Sequence, residues 1–458
     1  MKVMKFGGGC LKDGEHFRKV AEIIESQTDP VAVVVSAVSG VTDLLADGIW
    51  KAKKSEKNVP GIIESVNERH REIAHISIGD ENVRQKIAKD FERKIRILKR
   101  LLFGISYTEE ITESIRAHVL SYGERFSALM LSGVLKSHGR MAVALEADKI
   151  GIMTDESYTN ATAILPEVSR NLDSTVWPLV REGQVPILTG YFGCTHEGKV
   201  TTFGRNGSDY SAAVVAHGMN ARLLEIWKDV DGFMSADPEI VKSPRRIDRL
   251  SYYEAAELSY FGSQILHPRT VEPLVDVCIP VHIRNIYQTE GAGTRIMPEG
   301  CEKENVVKSV TYNNHISMLK IHGPGVGYKP GIIAEIGGIL SRMGINIYSV
   351  ITSQTCINLL LDKKDSRKSH ESIKRITGGI IEKVNLEEGI ALIAVVGEGL
   401  LKRKGVAARV FSAVAEQDIN VEMISSGASE VAYYFVVKIC DVRKAVNAIH
   451  GEFFPDVC

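Results

Sequence analysis

The chain has 458 residues, which exceeds the size of one ordinary hydrophobic core, and we expect two or three domains. The formal net charge is -1, with 25% charged and 44% hydrophobic residues, so the composition is ordinary globular and offers no basic field for nucleic acid. No apolar run approaches the ~18 residues of a membrane span, and the amino terminus predicts a short strand rather than a signal peptide. The seven cysteines form no CxxC pair, which argues against a zinc site or a disulfide framework and favours a reduced, cytoplasmic location.

Residues 1–297 alternate short β-branched runs with helical patterns. Strands are predicted over 31–40, 141–147, 184–193, 221–232 and 279–285, and helices over 15–26, 61–77, 81–102, 111–138 and 209–218. Continuous apolar strands separated by helices are typical of a parallel sheet covered on both faces. We therefore expect residues 1–297 to form an α/β domain with a mostly parallel sheet.

A Gly-, Pro- and charge-rich stretch follows, and it predicts a linker over 298–314. Beyond it the chain repeats itself. Residues recur at an interval of 74 positions, so that Gly323, Gly331 and Asn346 return as Gly397, Gly405 and Asn420. Each copy has a strand, a glycine turn, a helix and two further strands. A repeated β-α-β-β unit of this size predicts two ferredoxin-like α+β modules, at 315–386 and 387–458.

The amino-terminal strand leads into Lys5 and three successive glycines, Gly7, Gly8 and Gly9, before a helix. Turns from strand to helix at the carboxyl edge of a parallel sheet are common ligand sites. Successive glycines let backbone N–H groups surround an anion, and a lysine beside them adds a compact positive charge. The pattern suits phosphate, although it matches neither the Walker A loop nor the GxGxxG fingerprint. The alternative is that the glycines only make a tight turn.

A second glycine-rich turn lies between a strand and the helix predicted at 209–218. Arg205 offers a planar fork to a carboxylate or a phosphate. Ser208 is a candidate N-cap, and Asp209 falls in the first helical turn. Ser208 and Asp209 therefore either contact a ligand or only cap the helix.

Two further segments offer polar side chains. Ser121 and Glu124, in the helix predicted over 111–138, have the spacing of a capping box. If that helix begins well before Ser121, Glu124 is an interior carboxylate that needs a cation, such as a substrate ammonium. In the segment 36–45, Thr42 either caps a helix or contacts a substrate.

Six segments of the chain resemble, in order, the motif series of the aspartate kinases: KFGGGCL, SAVSGVTDLL, SYGERFSALM, TTFGRNGSDYSAA, WKDVDGFMSADPEIV and ELSYFGSQILHPRT. The resemblance covers essentially the whole chain, and the repeated tail resembles the pair of ACT regulatory modules of those enzymes. It implies the amino-acid kinase fold and transfer of the γ-phosphoryl group of ATP, supplied with Mg²⁺, to the side-chain carboxylate of L-aspartate. The product would be 4-phospho-L-aspartate, which opens the route to lysine, threonine and methionine.

The resemblance also implies roles for individual residues. Lys5 would stabilise charge on the transferred phosphoryl group, and Asp209 would orient Lys5. Arg205 would hold the α-carboxylate of aspartate, and Glu124 would hold its α-amino group. The same pocket would be lined by Ser36, Thr42 and Ser208. The nucleotide side would comprise Gly7, Gly8, Gly9, Gly207, Lys228, Asp229, Asp231 and Gln264. No separate protein metal site is expected, because Mg²⁺ would arrive on ATP and keep several waters.

The ACT-like tail implies feedback inhibition by an amino acid, either lysine or threonine. The matching effector positions are Gly327, Gly331, Asn346, Ile347 and Ser353, for which the alternative is a role in turns alone. The resemblance further implies a homodimer or a dimer of dimers. No homoserine dehydrogenase-like segment follows the tail, which predicts a monofunctional enzyme. Neither a nucleic acid nor a membrane is expected among its partners.

The sequence departs from the family pattern mainly on the nucleotide side. The first motif of the family usually reads KFGGTS, so Gly9 and Cys10 replace two hydroxyl residues. Lys228 stands where threonine is common, and Gln264 stands where lysine is frequent. Each lost hydroxyl donor is expected to cost about 1 kcal/mol of phosphate binding. Our hypothesis is that Lys228 restores part of the positive charge.

Two other functions stay open on the sequence alone. One is a catalytically weak homologue that mainly senses amino acids through its tail, and the altered glycine loop motivates it. The other is a related kinase that acts on a different carboxylate or on a carbamate. Glu124 together with Arg205 opposes the second alternative, because the pair suits the zwitterion of an α-amino acid.

Overall fold

The structure of the chain is a computed structural model, which describes residues 1–204, 206–263, 265–299, 306–375 and 381–455. The chain divides into two compact units, one formed by 1–233, 246–256 and 264–300, the other by 234–245, 257–263 and 301–458. Two predicted site residues, Arg205 and Gln264, lie outside the described residues, as do positions 300–305 of the predicted linker region.

The strands of the first unit form one large sheet and one two-stranded sheet. They are β1 (Lys2–Phe6), β2 (Val31–Val35), β3 (Ala142–Leu145), β4 (Val185–Thr189), β5 (Phe192–Cys194), β6 (Val200–Thr202), β7 (Leu223–Lys228), β8 (Arg249–Ser251), β9 (Val281–Asn285) and β10 (Thr294–Met297). The large sheet has the order β3-β4-β2-β1-β7-β9-β10-β8, and β5 pairs with β6. Neighbours from β3 to β9 are parallel, while β10 is antiparallel to β9 and parallel to β8. The prediction of a mostly parallel sheet is confirmed.

The helices of the first unit, with α10 shared between the two units, include every helix that the sequence predicted. They are α1 (Gly14–Glu25), α2 (Val41–Lys54), α3 (Val59–Ser77), α4 (Glu81–Thr108), α5 (Glu113–Leu120), α6 (Tyr122–Ser137), α7 (Leu165–Thr175), α8 (Trp177–Arg181), α9 (Gly207–Gly218), α10 (Tyr252–Phe261) and α11 (Glu272–Val275). The unpredicted α2 contains Gly48, which weakens its intrinsic helix propensity. The structure shows why a glycine fits there, since a Cβ at Gly48 would lie 2.9 Å from Ile62 of α3.

Alternate residues of β1 lie on opposite faces of the large sheet. Met4 and Phe6 belong to a hydrophobic core that also contains buried residues of α1 to α6. Lys5 lies between them in sequence and therefore points to the other face, where it pairs with Asp209 of α9. Helices consequently cover both faces of the sheet. Lys5 lies on the face covered by α9, near the carboxyl end of β1.

The second unit contains two small modules. Its strands are β11 (Ser309–Asn313), β12 (Ile316–His322), β13 (Ile347–Thr352), β14 (Cys356–Asp362), β15 (Lys383–Glu387), β16 (Ile390–Val396), β17 (Met423–Ser425) and β18 (Ala432–Lys438), and its helices are α12 (Ile332–Arg342), α13 (Lys363–Lys374), α14 (Val406–Ala415) and α15 (Val442–Phe453). They form two antiparallel sheets, in the orders β13-β14-β12-β15 and β17-β18-β16-β11. The predicted pair of ferredoxin-like modules is confirmed. No helix in the described part of the chain is long and apolar enough to cross a membrane.

The first module is inserted into the second one. Strand β11 precedes the first module but pairs with β16, with Ser309 opposite Val396. Strand β15 pairs in the same way with β12, with Lys383 opposite His322, and these partners are shifted by the same 74 residues. The segment expected as a linker therefore contributes an edge strand to the second module. Local composition could not reveal this, because the partner of an edge strand is chosen by tertiary packing.

Candidate active site

The carboxyl ends of four neighbouring parallel strands, β4, β2, β1 and β7, meet at one edge of the large sheet. Such an edge is the usual ligand site of a parallel sheet. The glycine turn Gly7–Gly9 leaves β1 here, and Asp229 follows β7. Ser36 follows β2, and its N–H donates to the carbonyl oxygen of Phe6 at 3.1 Å. The fold thus places the three glycines, Ser36 and Asp229 at a single edge.

Asp209 lies between two lysines from neighbouring strands. Its Oδ1 is 2.5 Å from Nζ of Lys5, and its Oδ2 is 3.0 Å from Nζ of Lys228. Only 1% of the Asp209 side chain, 5% of Lys5 and 15% of Lys228 are exposed. Burial opposes ionisation of Asp209, but the ammonium groups of Lys228 and Lys5 outweigh it and hold the pKa of Asp209 at about 2. Burial lowers the pKa of Lys5 below its ordinary value, although Asp209 acts in the opposite direction.

Gly9 is favoured by space rather than by backbone conformation. None of Gly7, Gly8 and Gly9 has a positive φ. The N–H of Gly7 donates to the carbonyl oxygen of Trp227 at 3.2 Å, which holds the turn beside β7. A Cβ atom at Gly9 would lie 2.7 Å from Oδ2 of Asp229. The space that a threonine would fill at position 9 is therefore taken by the Asp229 carboxylate.

Cys10 is a buried part of the same turn. Its Sγ donates to the carbonyl oxygen of Trp227 at 3.2 Å, and the side chain has no exposed surface. Burial raises the pKa of the thiol to about 12, so it stays protonated. A serine hydroxyl at position 10 would donate to the same carbonyl. The replacement of serine by cysteine is thus accommodated inside the protein.

Glu124 is a buried carboxylate with only 2% of its surface exposed. Its Oε1 accepts a hydrogen bond from the N–H of Ala37 at 3.0 Å, and its Oε2 has no hydrogen-bond partner among the described residues. Burial raises the pKa of Glu124 to about 8, against the opposing effects of the Ala37 amide and the Lys5 ammonium. A buried carboxylate of this kind is stabilised by a cation. Its contact with Ala37, two residues beyond β2, places Glu124 near the carboxyl end of that strand.

The capping box, one of the two alternatives for Ser121 and Glu124, is absent. Ser121 has helical backbone angles between α5 and α6, and its hydroxyl donates to the carbonyl oxygen of His118 at 2.7 Å. Glu124 therefore lies inside an almost continuous helical stretch, as the alternative interpretation proposed. Its position depends on Gly123, where a Cβ would lie 2.6 Å from the Cβ of Ala37.

Neither Thr42 nor Ser208 is an N-cap, and the capping interpretation is wrong for both. Gly40, with a φ of 78°, caps α2, and Asn206, with a φ of 57°, caps α9. Thr42 and Ser208 therefore lie in the first turns of their helices. A Cβ at Gly190, after β4, would lie 3.0 Å from the Cβ of Ser208, so the two backbones approach closely at the sheet edge.

Charged and amide side chains line the ends of β7 and β9. Oδ2 of Asp229 lies 3.3 Å from Nζ of Lys12, and Oδ1 of Asp231 accepts a hydrogen bond of 2.6 Å from Nδ2 of Asn285. A Cβ at Gly207 would lie 2.8 Å from the Cβ of Phe203, so this glycine is also required by space. Across the described ranges, no group of three or more His, Cys, Asp or Glu residues could hold a metal ion.

Sequence reasoning missed several residues that shape this edge. They are Lys12, Ala37, Gly123, Gly190 and Asn285. Gly123 and Gly190 carried a usable signal, since each is a glycine inside a predicted helix or strand, where a glycine often marks a close approach. Lys12 and Asn285 carried none, because an exposed lysine or asparagine is ordinary in a turn.

The predicted effector residues lie in the first module of the second unit. Gly327 and Ser353 are in direct contact, since a Cβ at Gly327 would lie 1.7 Å from the carbonyl oxygen of Ser353. Gly331, with a φ of 95°, is the N-cap of α12. Ile347 begins β13, and Nδ2 of Asn346 donates to the hydroxyl of Tyr260 at 3.1 Å. Gly331 therefore suits its position as a helix cap because of its positive φ, whereas Gly327 is needed because a side chain there would collide with the backbone of Ser353.

The amino acid kinase family matches residues 1–285, and the ACT domain matches residues 393–453. Aspartokinase 2, chloroplastic, of Arabidopsis thaliana is 33% identical, over 99% of this chain and 84% of its own length. The bifunctional aspartokinase/homoserine dehydrogenase of Buchnera aphidicola is 30% identical over 99% of this chain. The chain spans 56% of that protein and 50% of a bifunctional Arabidopsis relative, about half the length of these matches.

Solved structures show the same likeness. Aspartokinase III of E. coli in complex with aspartate and ADP (R-state) has a TM-score of 0.84 and 26% identity, covering 99% of this chain and 100% of that one. The same enzyme in complex with lysine and aspartate (T-state) has a TM-score of 0.81 and 27% identity, covering 99% of each chain.

Proposed function

The chain belongs to the aspartokinases of the amino acid kinase family, and on that premise we propose that it phosphorylates L-aspartate. The γ-phosphoryl group of ATP is transferred to the side-chain carboxylate, and 4-phospho-L-aspartate and ADP are formed. The likeness to an aspartokinase crystallised with aspartate and ADP supports this substrate pair.

The observation that carries the proposal is the unpartnered Oε2 of buried Glu124. A carboxylate in this position binds the α-ammonium group of an amino acid and regains its charge on doing so. Arg205 is proposed to hold the α-carboxylate, and Ser36, Thr42 and Ser208 are proposed to line the pocket. An α-amino acid is therefore favoured over a simple carboxylate or a carbamate.

Lys5 is proposed to neutralise charge on the transferred phosphoryl group, with Asp209 as its positioning partner. The attacking oxygen belongs to the substrate carboxylate, which is already ionised at pH 7, so the protein needs no strong general base. The protein instead positions the reactants and stabilises charge, as in other phosphoryl transfers. The nucleotide side is proposed to comprise Gly7, Gly8, Gly9, Gly207, Lys228, Asp229, Asp231 and Gln264.

Mg²⁺ is proposed to enter as part of the ATP substrate, where it neutralises phosphate charge. The protein offers Asp229 for it, since this carboxylate abuts the glycine turn and 43% of its side chain is exposed. A single carboxylate is enough for a cation that keeps most of its waters.

The ACT tail is proposed to make the enzyme sensitive to lysine or threonine, through Gly327, Gly331, Asn346, Ile347 and Ser353. The lysine complex of the E. coli enzyme supports an amino-acid effector. We further propose a cytoplasmic homodimer or dimer of dimers. The catalytic domain is proposed to span 1–297 and the first module 315–386, with the second module at 387–458 extended by the strand Ser309–Asn313.

ADP release from Mg-ATP, with and without L-aspartate, tests the activity, with hydroxylamine present to trap the acyl phosphate. An aspartate-dependent hydroxamate is expected, and L-glutamate and succinate should give far less. A folded protein that binds amino acids but forms no hydroxamate would overturn the proposal. That outcome would favour an amino-acid sensor, the alternative that the Gly9 replacement motivates.

A further inference from the structure

We propose that Lys228 is a second phosphate-binding cation, which contacts the phosphoryl oxygens of the bound nucleotide in addition to pairing with Asp209. The inference rests on the proposed function for the identity of the nucleotide. It goes beyond that function by assigning a direct contact to a residue that stands where the family commonly has threonine.

The charge balance of the cluster is the first argument. Lys5 and Lys228 each take one oxygen of the Asp209 carboxylate. These three side chains carry one net positive charge in a largely buried position, and the nearby Asp229 carboxylate is paired with Lys12 instead. Threonine at position 228 would leave a neutral pair. An uncompensated buried charge is unfavourable unless an anion joins it, and the phosphoryl groups of a nucleotide are such an anion.

The donor capacity of the ammonium groups is the second argument. Each lysine has three N–H donors. Among the described residues, Asp209 is the one hydrogen-bonding or ion-pairing partner of Lys5 and of Lys228. Both lysines therefore keep donors for a ligand. Lys228 retains 15% exposure, against 5% for Lys5, so a ligand at the sheet edge can reach it.

The replacement at Gly9 is the third argument. In place of a hydroxyl, the Asp229 carboxylate lies within 3 Å of the position that a Cβ would take. This carboxylate brings negative charge to the glycine turn, where it is paired with Nζ of Lys12 at 3.3 Å. A Cβ at Gly7 would lie 3.4 Å from Nζ of Lys5, and one at Gly9 would lie 2.7 Å from Oδ2 of Asp229, so both side chains border the glycine turn. Lys228 supplies the positive charge that phosphate needs there.

Direct binding measurements test the proposal without requiring turnover. ATP, ADP and AMP are titrated calorimetrically into the full chain and its variants. For Lys228→Met and Lys228→Thr, ATP and ADP should bind about tenfold more weakly, with a smaller loss for AMP, because charge-assisted contacts scale with phosphate number. Lys228→Arg should retain most of the affinity. Lys51→Met, which breaks the exposed pair of Lys51 with Asp47, is the matched control and should bind all three nucleotides normally.

Unchanged ATP and ADP affinity in a folded Lys228→Met protein would overturn the proposal and leave Lys228 as a structural partner of Asp209. An equal loss for all three nucleotides would overturn it as well. If the variants fail to fold, the contact is tested by reductive methylation of lysines in the wild-type chain, with and without ADP. Saturating ADP should protect Lys228 at least fivefold while Lys51 reacts as before, and equal labelling of Lys228 with and without ADP would refute the contact. A wild-type chain that binds ADP through Lys228 but forms no hydroxamate would refute the proposed function and leave the Lys228 contact standing.

Discussion

The backbone N–H of Ala37 donates a hydrogen bond of 3.0 Å to Oε1 of Glu124, and this contact joins the end of β2 to the first turn of α6. Gly123 permits the approach, since a Cβ there would lie 2.6 Å from the Cβ of Ala37. One carboxylate oxygen is thereby fixed, while Oε2 keeps no partner in the described part of the chain. Burial raises the pKa of this carboxyl to about 8, and an entering ammonium group would restore its ionised form.

Aspartate binding should therefore depend on pH through Glu124. Below its pKa of about 8 the carboxyl of the free enzyme is protonated, so kcat/KM for aspartate should rise with pH towards 8 and level off above it. In Glu124→Gln this rise should disappear, and KM for aspartate should increase about tenfold or more while KM for ATP stays nearly constant. Steady-state kinetics across this pH range measure both effects.

Stability should depend on pH through Glu124 in the direction opposite to kcat/KM, and Glu124→Gln should remove both dependences. This result would distinguish a binding role from a folding defect. The pKa of Glu124 in the folded protein lies above its ordinary 4.5, so the native state holds the proton more tightly than the unfolded chain. The free energy of unfolding should fall as pH rises from about 4.5 to about 8. Glu124→Gln should lack this decline in urea titrations, and a parallel decline in both proteins would contradict the assignment.

Asp209→Asn should destabilise the protein and abolish activity. It removes the counter-charge of Lys5 and Lys228, which are 5% and 15% exposed, and loss of one partner in a buried ionic cluster costs about 3–5 kcal/mol. Because the pKa of Asp209 is held at about 2, its contribution to wild-type stability should be present above pH 3.8 and fall away as pH drops towards 2. Denaturant titration at several pH values checks this. Asp229→Asn, at an exposed ion pair, should cost less than about 1 kcal/mol.

The sequence predicted this site in part, and the reasons differ from residue to residue. Lys5 and Asp209 were placed together by their motifs, and the alternation of β1 explains physically why Lys5 faces α9. The contact of Lys228 with Asp209 was not predicted, because a lysine at a strand end ordinarily points to solvent. The parallel sheet followed from apolar runs. The pairing of β11 with β16 could not be predicted, since the sequence pattern of a five-residue edge strand is too short to identify its partner.

Gly9→Ala should weaken nucleotide binding with little change in stability. The added Cβ would meet the Asp229 carboxylate at 2.7–2.9 Å, and that carboxylate is the end of a flexible, 43% exposed side chain that can move aside. Because Asp229 is the carboxylate proposed for Mg²⁺, its displacement should reduce the affinity for Mg-ATP by about three- to tenfold, while the free energy of unfolding changes by less than about 1 kcal/mol. Calorimetric titration measures the ATP affinity, and urea unfolding measures the free energy of unfolding. Affinity equal to wild type would show that the position of Asp229 does not matter for nucleotide binding.

Val310→Ala tests the insertion of one module into the other. Val310 of β11 is fully buried in the core of the second module, so its truncation should lower the free energy of unfolding by about 2 kcal/mol. Val384, 74 residues later in β15, holds the matching place in the first module but is only partly buried. Val384→Ala should cost about 1 kcal/mol or less. Urea unfolding of the full chain compares them, and an unchanged midpoint for Val310→Ala would mean that β11 contributes no core.

Gly327→Ala should release the enzyme from feedback inhibition. An alanine Cβ would lie 1.7 Å from the carbonyl oxygen of Ser353, so one of the two backbones must move. This displacement reshapes the proposed effector site, and the concentration of lysine or threonine that halves the activity should rise about tenfold. Gly337→Ala is the matched control, because Gly337 lies in α12 with nothing within 4 Å of its added Cβ. It should keep normal inhibition and gain up to about 1 kcal/mol of stability from helix propensity. The ratio of inhibited to uninhibited rates gives the answer for each variant, and equal sensitivity of the two would place the effector elsewhere.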